Sequence, residues 1–265
     1  MLRKTPPTFA GQVLKTHMTP PRADIYLVLP AFNEAENIST LLQRVVSVFL
    51  DTGLPMPIVV VVDDGSKDET AEVVRAFEGL PGLRLLRHEV NGGLGPTLRD
   101  GLREATRTAR PDDIIVTMDA DDTHHPGLIP AMAQKIREGF DVVIASRYRP
   151  DSRVFGLARS RRWLSVGAAL TFRILHPIHG VRDYTCGFRA YRAALIIKAF
   201  EHYGEGFVDK QGFQCMVDTL LKLRRFEPLM TELPFILRYD RKGGASKMNV
   251  LKTTLQTFRV AFYGK

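Results

Sequence analysis

Apolar and polar positions switch between two periods along the first 150 residues. Ile25, Tyr26, Leu27, Val28 and Leu29 form a short apolar run that Pro30 stops. Ile38, Leu41, Leu42, Val45, Val46 and Phe49 then recur at helical spacing and predict a helix over 35–50. Asn33 suits its N-cap, and Glu34 and Glu36 suit the positive helix start. Residues 58–62 are an unbroken β-branched run, as expected of a strand covered on both faces. Asp63, Asp64, Gly65 and Ser66 follow as a turn with helix-start chemistry, and a helix runs to about Glu78. A third strand is expected over 83–86, a loop over 91–95, a helix to about Arg107, and further strands over 113–118 and 142–145.

Strand–helix alternation at this spacing predicts an α/β fold with a parallel, doubly wound sheet. Such sheets bind ligands at the carboxyl ends of their strands. Residues 30–34, 63–66 and 119–121 all fall at such ends, so three polar clusters converge on one crevice. The second half is less regular. Residues 163–176 and 210–223 read as helices, 183–189 as a polar turn entering a strand, and 233–239 as a strand. Residues 241–247 form a Gly-rich basic loop, and 248–263 place Met248, Leu251, Leu255, Phe258 and Phe262 on one helical face. That stripe packs onto the domain or lies at a membrane interface, and both readings stand.

The chain has 265 residues, enough for one large domain or two small ones. Its 45% hydrophobic and 25% charged residues are those of an ordinary globular protein. The net charge of +8 points to phosphate-bearing partners or an anionic membrane surface. Nucleic acid is disfavoured, because the arginines are not interleaved with stacking aromatics. Cys186 and Cys215 lack the spacing of a metal or disulfide framework and read as packing residues in a reducing cytoplasm. No run approaches the ~20 apolar residues of a spanning helix. Residues 1–22 carry four prolines and read as a flexible lead-in.

The candidate chemistry lies mainly in Asp119-Ala120-Asp121, at the end of the strand-like run Ile114, Ile115, Val116, Thr117, Met118. Carboxylates emerging from an apolar strand suit a hard cation, Mg²⁺ or Mn²⁺, that neutralises a diphosphate. His124 and His125 read as surface or neighbouring residues, since such a site prefers oxygen. Residues 147–162 hold six Arg and one Asp, a density that favours anionic partners. The loop over 91–95 is either a phosphate cradle or a structural turn.

Assembled in order, these segments resemble a family 2 glycosyltransferase of the GT-A fold, and within it the dolichyl- or polyprenyl-phosphate mannosyltransferases. The segments are Leu29-Pro30-Ala31-Phe32-Asn33-Glu34, Val61-Val62-Asp63-Asp64-Gly65-Ser66, Asn91-Gly92-Gly93-Leu94-Gly95, Met118-Asp119-Ala120-Asp121, Ser146-Arg147-Tyr148, Cys186-Gly187-Phe188-Arg189 and Gly244-Ala245-Ser246-Lys247. The resemblance covers about residues 24–250. It implies a Rossmann-like, mostly parallel central sheet flanked by helices, in a domain over 23–247 with an acceptor-side C-terminal extension and an amphipathic helix over 248–265.

The same resemblance implies site roles. Pro30, Phe32 and Glu34 hold the nucleotide; Asp63 reads the base, and Asp64 stands beside it as ligand or cap. Asp119, Ala120 and Asp121 meet the metal and sugar diphosphate, with Asp119, Asp121, Arg147 and Arg161 as the catalytic set. Arg147, Arg161, Arg241 and Lys247 match positions that grip the donor diphosphate or the acceptor phosphate, with Ser165 on the acceptor side. The implied reaction moves a hexose, mannose from GDP-mannose first and UDP-glucose second, to a polyprenyl phosphate with inversion. A phosphate dianion needs no general base. A hydroxyl acceptor would need one, with Asp218 or Asp183 as candidates, and a non-catalytic nucleotide-sugar-binding module is the remaining alternative. The chain departs from the family's usual Asp-Ala-Asp-Leu-Gln-His-Pro-Pro: Thr123 stands where the metal-binding Gln is expected and is the third metal candidate. Asp218 replaces a usual Glu. Relatives often continue into C-terminal membrane helices, which this sequence lacks. The expectation is a cytoplasmic protein on the inner membrane face, docked peripherally, or else a shortened chain.

Overall fold

A computed structural model describes residues 23–156, 167 and 171–238. The first half follows the hydrophobic pattern. β1 (Ile25–Ala31), α1 (Ala35–Thr52), β2 (Ile58–Asp63), α2 (Thr70–Arg75), β3 (Arg84–Arg87), α3 (Leu94–Thr106) and β4 (Ile114–Thr117) occur in the predicted order. They are followed by α4 (Ile129–Arg137), β5 (Val142–Ser146), β6 (Arg153–Phe155), β7 (Arg189–Arg192), α5 (Ala193–Tyr203), α6 (Gln214–Arg224), β8 (Met230–Pro234) and β9 (Ile236–Arg238). The lead-in over 1–22, the helix over 248–263 and the basic loop over 241–247 lie outside the described residues.

Seven strands form one sheet in the order β3-β2-β1-β4-β7-β5-β8, and β6 pairs with β9 in a small parallel ribbon. All neighbours in the large sheet are parallel except β7, which runs antiparallel to both β4 and β5. The order reverses between β1 and β4, the place where an open α/β sheet leaves a crevice at its carboxyl ends. Right-handed crossovers put α1 and α2 on one face and α3 on the other. Gly101 of α3 lets that helix approach closely, since a Cβ there would stand 2.4 Å from Val28 Cγ1 and 3.0 Å from Val62 Cγ2. The five residues of β5 and four of β4 are all buried, as their apolar runs demand.

Two local expectations are corrected. Pro30 does not stop β1; the strand continues to Ala31, with Pro30 opposite Val62. The backbone faces its neighbours alternately. The Met118 N–H donates to the Val28 carbonyl at 3.1 Å, so the absent N–H of Pro30 falls on the β4 side. Pairing with β4 ends there while pairing with β2 goes on to Asp63. Asn33 is not the N-cap of α1. It sits at φ 53°, before the cap residue Glu34. Its N–H donates to Ser66 Oγ at 2.8 Å and its Oδ1 accepts from the Lys67 N–H at 2.8 Å, which ties the β1–α1 loop to the β2–α2 loop.

Candidate active site

Three strand ends meet at the crevice: β1 brings residues 30–34, β2 brings Asp63 and β4 leads into Asp119 to Asp121. The β1 loop is fixed from below. The Glu34 N–H donates to Thr70 Oγ1 at 2.8 Å and the Ala35 N–H to Asp68 Oδ2 at 3.2 Å. Pro30 and Phe32 are half-buried beside the buried Glu34. Asp63 is fully buried; its Oδ1 accepts the Ser66 N–H at 3.0 Å, and Arg87 Nε stands 3.2 Å from Oδ2.

Asp64 does something else. Its Oδ1 accepts the Gly92 N–H at 2.9 Å and meets His88 Nδ1 at 2.8 Å, and its Oδ2 accepts the Gly93 N–H at 2.9 Å. The carboxylate therefore ties down the loop over 91–95, the capping alternative of its two readings. That loop is a structural turn, not a phosphate cradle. Its glycines make room for a neighbouring backbone: a Cβ on Gly95 would lie 1.7 Å from the Lys210 carbonyl oxygen, and one on Gly93 2.6 Å from that of Gln211. The Gly95 N–H donates to the Gln211 carbonyl at 3.0 Å.

Asp119 opens towards solvent, with its side chain 36% exposed, whereas Asp121 is buried. The Thr123 hydroxyl donates to Asp121 Oδ1 at 2.6 Å, and the Thr123 N–H donates to the same oxygen at 3.2 Å. Thr123 is thus engaged as an orienting donor to Asp121. Asp122, forced into φ 56°, is gripped through both oxygens by Arg44 Nη1 at 2.5 and 2.6 Å. Sequence reasoning missed Arg44, because 78 residues separate the partners. His124 neighbours the pair, as expected, but is buried. That ring lies between Phe188 and Phe235, with centroids 5.4 and 5.6 Å away. Its buried Nδ1 has no hydrogen-bond partner and stands 3.9 Å from Asp119 Oδ2. His125 caps the following turn by accepting the Gly127 N–H at 3.0 Å.

These donors fit a hard divalent cation. Two carboxylates lie on one short loop beside an orphaned imidazole nitrogen. Among the described residues no three acidic, His or Cys side chains form a closed metal cage. Mg²⁺ commonly takes one or two carboxylates and completes its shell from substrate phosphates.

Just past the end of β5, Arg147 meets Asp183. Arg147 Nε and Nη2 donate to the two Asp183 oxygens at 2.8 and 2.7 Å, and Nη2 reaches Thr185 Oγ1 at 2.5 Å. Burial alone would raise the Asp183 carboxyl, but the Arg147 charge and hydrogen bonds outweigh it and hold the acid below its usual range. Burial likewise opposes the charge on Arg147, and Asp183 overcomes it and pushes the guanidinium well above its usual value. The fork assigned to phosphate is therefore engaged within the protein, and Arg147 here fixes the 183–186 loop. Glu232 supports that loop, its Oε1 accepting the N–H groups of Arg182 and Asp183, both at 2.6 Å. Burial pushes the thiols of Cys186 and Cys215 up to about 12, which suits packing residues. Arg161, Ser165, Arg241 and Lys247 lie outside the described residues.

A family model described as glycosyl transferase family 2 matches residues 26–200. An undecaprenyl-phosphate mannosyltransferase of Micrococcus luteus is 32% identical over 231 residues, covering 85% of this chain and 87% of that protein. A dolichol-phosphate mannosyltransferase of Pyrococcus furiosus is 30% identical over 221 residues, covering 83% of this chain but 58% of the longer relative. A polyprenol monophosphomannose synthase of Mycolicibacterium smegmatis is 28% identical over 240 residues, or 90% and 86% of the two chains. Among solved structures, glucosyl-3-phosphoglycerate synthase of Mycobacterium tuberculosis in complex with Mg²⁺ and UDP superposes with a TM-score of 0.62 at 19% identity, covering 91% and 79%. The same enzyme with Mn²⁺, UDP and glucosyl-3-phosphoglycerate gives 0.59 at 18%, covering 91% and 80%. Likeness at that identity speaks for the fold, which is GT-A.

Proposed function

Because the chain belongs to glycosyl transferase family 2, we propose that it moves mannose from GDP-mannose to a polyprenyl phosphate with inversion at C1. The names of its relatives support this acceptor class. Asp119 and Asp121 would hold Mg²⁺ or Mn²⁺, which supplies charge neutralisation on the leaving diphosphate when bound. Asp63 and the loop of Pro30, Phe32 and Glu34 would seat the nucleotide. Thr123 would keep Asp121 aimed at the crevice, and the Arg147–Asp183 pair keeps the 183–186 loop in place. The remaining acceleration is positioning of two phosphate-bearing substrates in a fixed cleft. Arg161, Ser165, Arg241 and Lys247 complete the reading as phosphate-gripping residues.

The observation that carries the phosphate acceptor is the state of the two acids suited to serve as bases. Asp183 is tied to Arg147 and held below its usual range. Asp218 Oδ2 stands 2.5 Å from Lys222 Nζ. A phosphate dianion attacks without either. A second reading, transfer to a hydroxyl, draws on the net upward push that burial gives Asp218 against Lys222. Work at a membrane follows from the acceptor, by peripheral contact on the cytoplasmic face. Among the described residues no helix is long and apolar enough to cross a bilayer.

The test is a matrix of nucleotide sugars against acceptors with Mn²⁺ present. GDP-mannose with a short polyprenyl phosphate is expected to give product, and Asp218→Asn to retain turnover. Transfer to sugar hydroxyls alone, with Asp218→Asn losing about 10²–10⁴-fold, would replace this reading by the second.

A further inference from the structure

Beyond the crevice, a second cleft of about 340 Å³ lies on the 177–184 segment. Arg149, Arg173 and Arg182 line it, with Ile178, Val181 and Tyr184 as its floor. Arg173 and Arg182 are exposed and Arg149 is half-buried. None of the three guanidiniums has a carboxylate partner among the described residues. Asp183 and Glu232, adjoining the segment, are buried; both Asp183 oxygens are held by Arg147, and Glu232 Oε1 accepts two backbone N–H groups while its Oε2 has no hydrogen-bond partner. Charges of both signs reach the Tyr184 phenol: burial raises it, Arg224 and Arg173 oppose the rise, and Glu232 adds to it.

Three like charges around one hollow repel each other unless an anion sits among them, and guanidinium groups favour phosphate oxygens. Ile174 and Leu175 follow Arg173 directly and are 69% and 41% exposed. Arginines around a hollow roomy enough for a headgroup, next to bare aliphatic side chains, match the layering of a bilayer surface, with phosphate above hydrocarbon.

We propose that this cleft binds the headgroup phosphate of an anionic phospholipid and seats the protein on the membrane with Ile174 and Leu175 inserted. The choice of a bilayer as the source of the phosphate rests on the lipid acceptor argued above. The experiment is sedimentation of the full chain with vesicles of phosphatidylcholine alone and of phosphatidylcholine with phosphatidylglycerol. Binding to the anionic vesicles only, weakened by salt, is expected. The combined variant Arg149→Gln, Arg173→Gln, Arg182→Gln should lower partitioning on the order of a hundredfold. Its transfer to a short, water-soluble polyprenyl phosphate should be unchanged. Arg173→Gln and Ile174→Asp, each at an exposed position, should lower partitioning by smaller factors and guard against misfolding of the combined variant. Wild-type partitioning in all three variants would overturn the proposal. So would equal binding to neutral vesicles, or saturation of the cleft by inorganic phosphate with no vesicle binding. Vesicle binding without any polyprenyl phosphate transfer would remove the catalytic reading and leave the docking site standing.

Discussion

Thr123 bears on Asp121 through one hydroxyl and one N–H, and the size of the loss on removing that hydroxyl separates an orienting role from a liganding one. A single hydrogen bond contributes about 1 kcal/mol, roughly a factor of five to ten. Weakened hold on a cation that would neutralise the developing anion costs on the order of 10²–10³-fold. Asp121→Asn should therefore cut kcat by at least a hundredfold on that scale, and Thr123→Val, which keeps the volume, by only about tenfold. A titration of activity against Mn²⁺ checks both; a Thr123→Val loss as deep as that of Asp121→Asn would make the hydroxyl a ligand. The Arg147–Asp183 pair makes its own prediction. Asp183→Asn leaves a buried guanidinium unpaired and should destabilise the fold by about 3–5 kcal/mol. Because the Asp183 carboxyl is depressed in the folded state, its contribution is complete above the ordinary aspartate value of about 3.9. It is lost as pH falls through the lower folded value. Thermal melts across the acid range should show that slope in the wild type and a shallower one in Asp183→Asn. The positions of Asp119 and Asp121 were legible in the sequence because a carboxylate ending an apolar strand is a local signal. The partners of Asp64, Asp122 and Arg147 were not, since they lie 28, 78 and 36 residues away.

Among the elements, β2 and α1 show what a local pattern can carry. Their apolar positions alone define them, and Ile38, Leu41, Leu42, Val45 and Phe49 are all buried as the spacing required. β7 shows what a local pattern leaves out: a strand after the 183–189 turn is expected, but not its place between β4 and β5. Its sequence Arg-Ala-Tyr-Arg has no apolar run, and it becomes a strand because β4 and β5 hold it on both sides. Pro30 was read as a stop because a proline lacks a donor; which neighbour faces that missing donor depends on the sheet. Gly95 supplies the prediction at this scale. Its contact is with backbone at 1.7 Å, whereas Gly101 meets side-chain methyls that have some freedom to shift. Gly95→Ala should cost about 1–3 kcal/mol or more and exceed the cost of Gly101→Ala in urea melts. Equal stability of Gly95→Ala and wild type would mean that α3 and the 209–212 loop do not meet as described.

Over the whole molecule, the parallel half was readable because each βα unit repeats one rule. In the half containing β5 to β9 several elements were readable, over 142–145, 210–223 and 233–239, but not their pairing, which is long-range. That interleaving has a consequence during synthesis. The strands β3, β2, β1 and β4 can zip together once the chain has emerged to Thr117. β5 cannot join them directly, because its partners are β7 and β8. From the emergence of Ser146 until Arg192 leaves the ribosome, the apolar strand Val142–Ser146 has both edges bare. A pause in translation over that interval would expose a sticky strand beside an already folded neighbour, making this stretch of the message the one where chaperones are most needed.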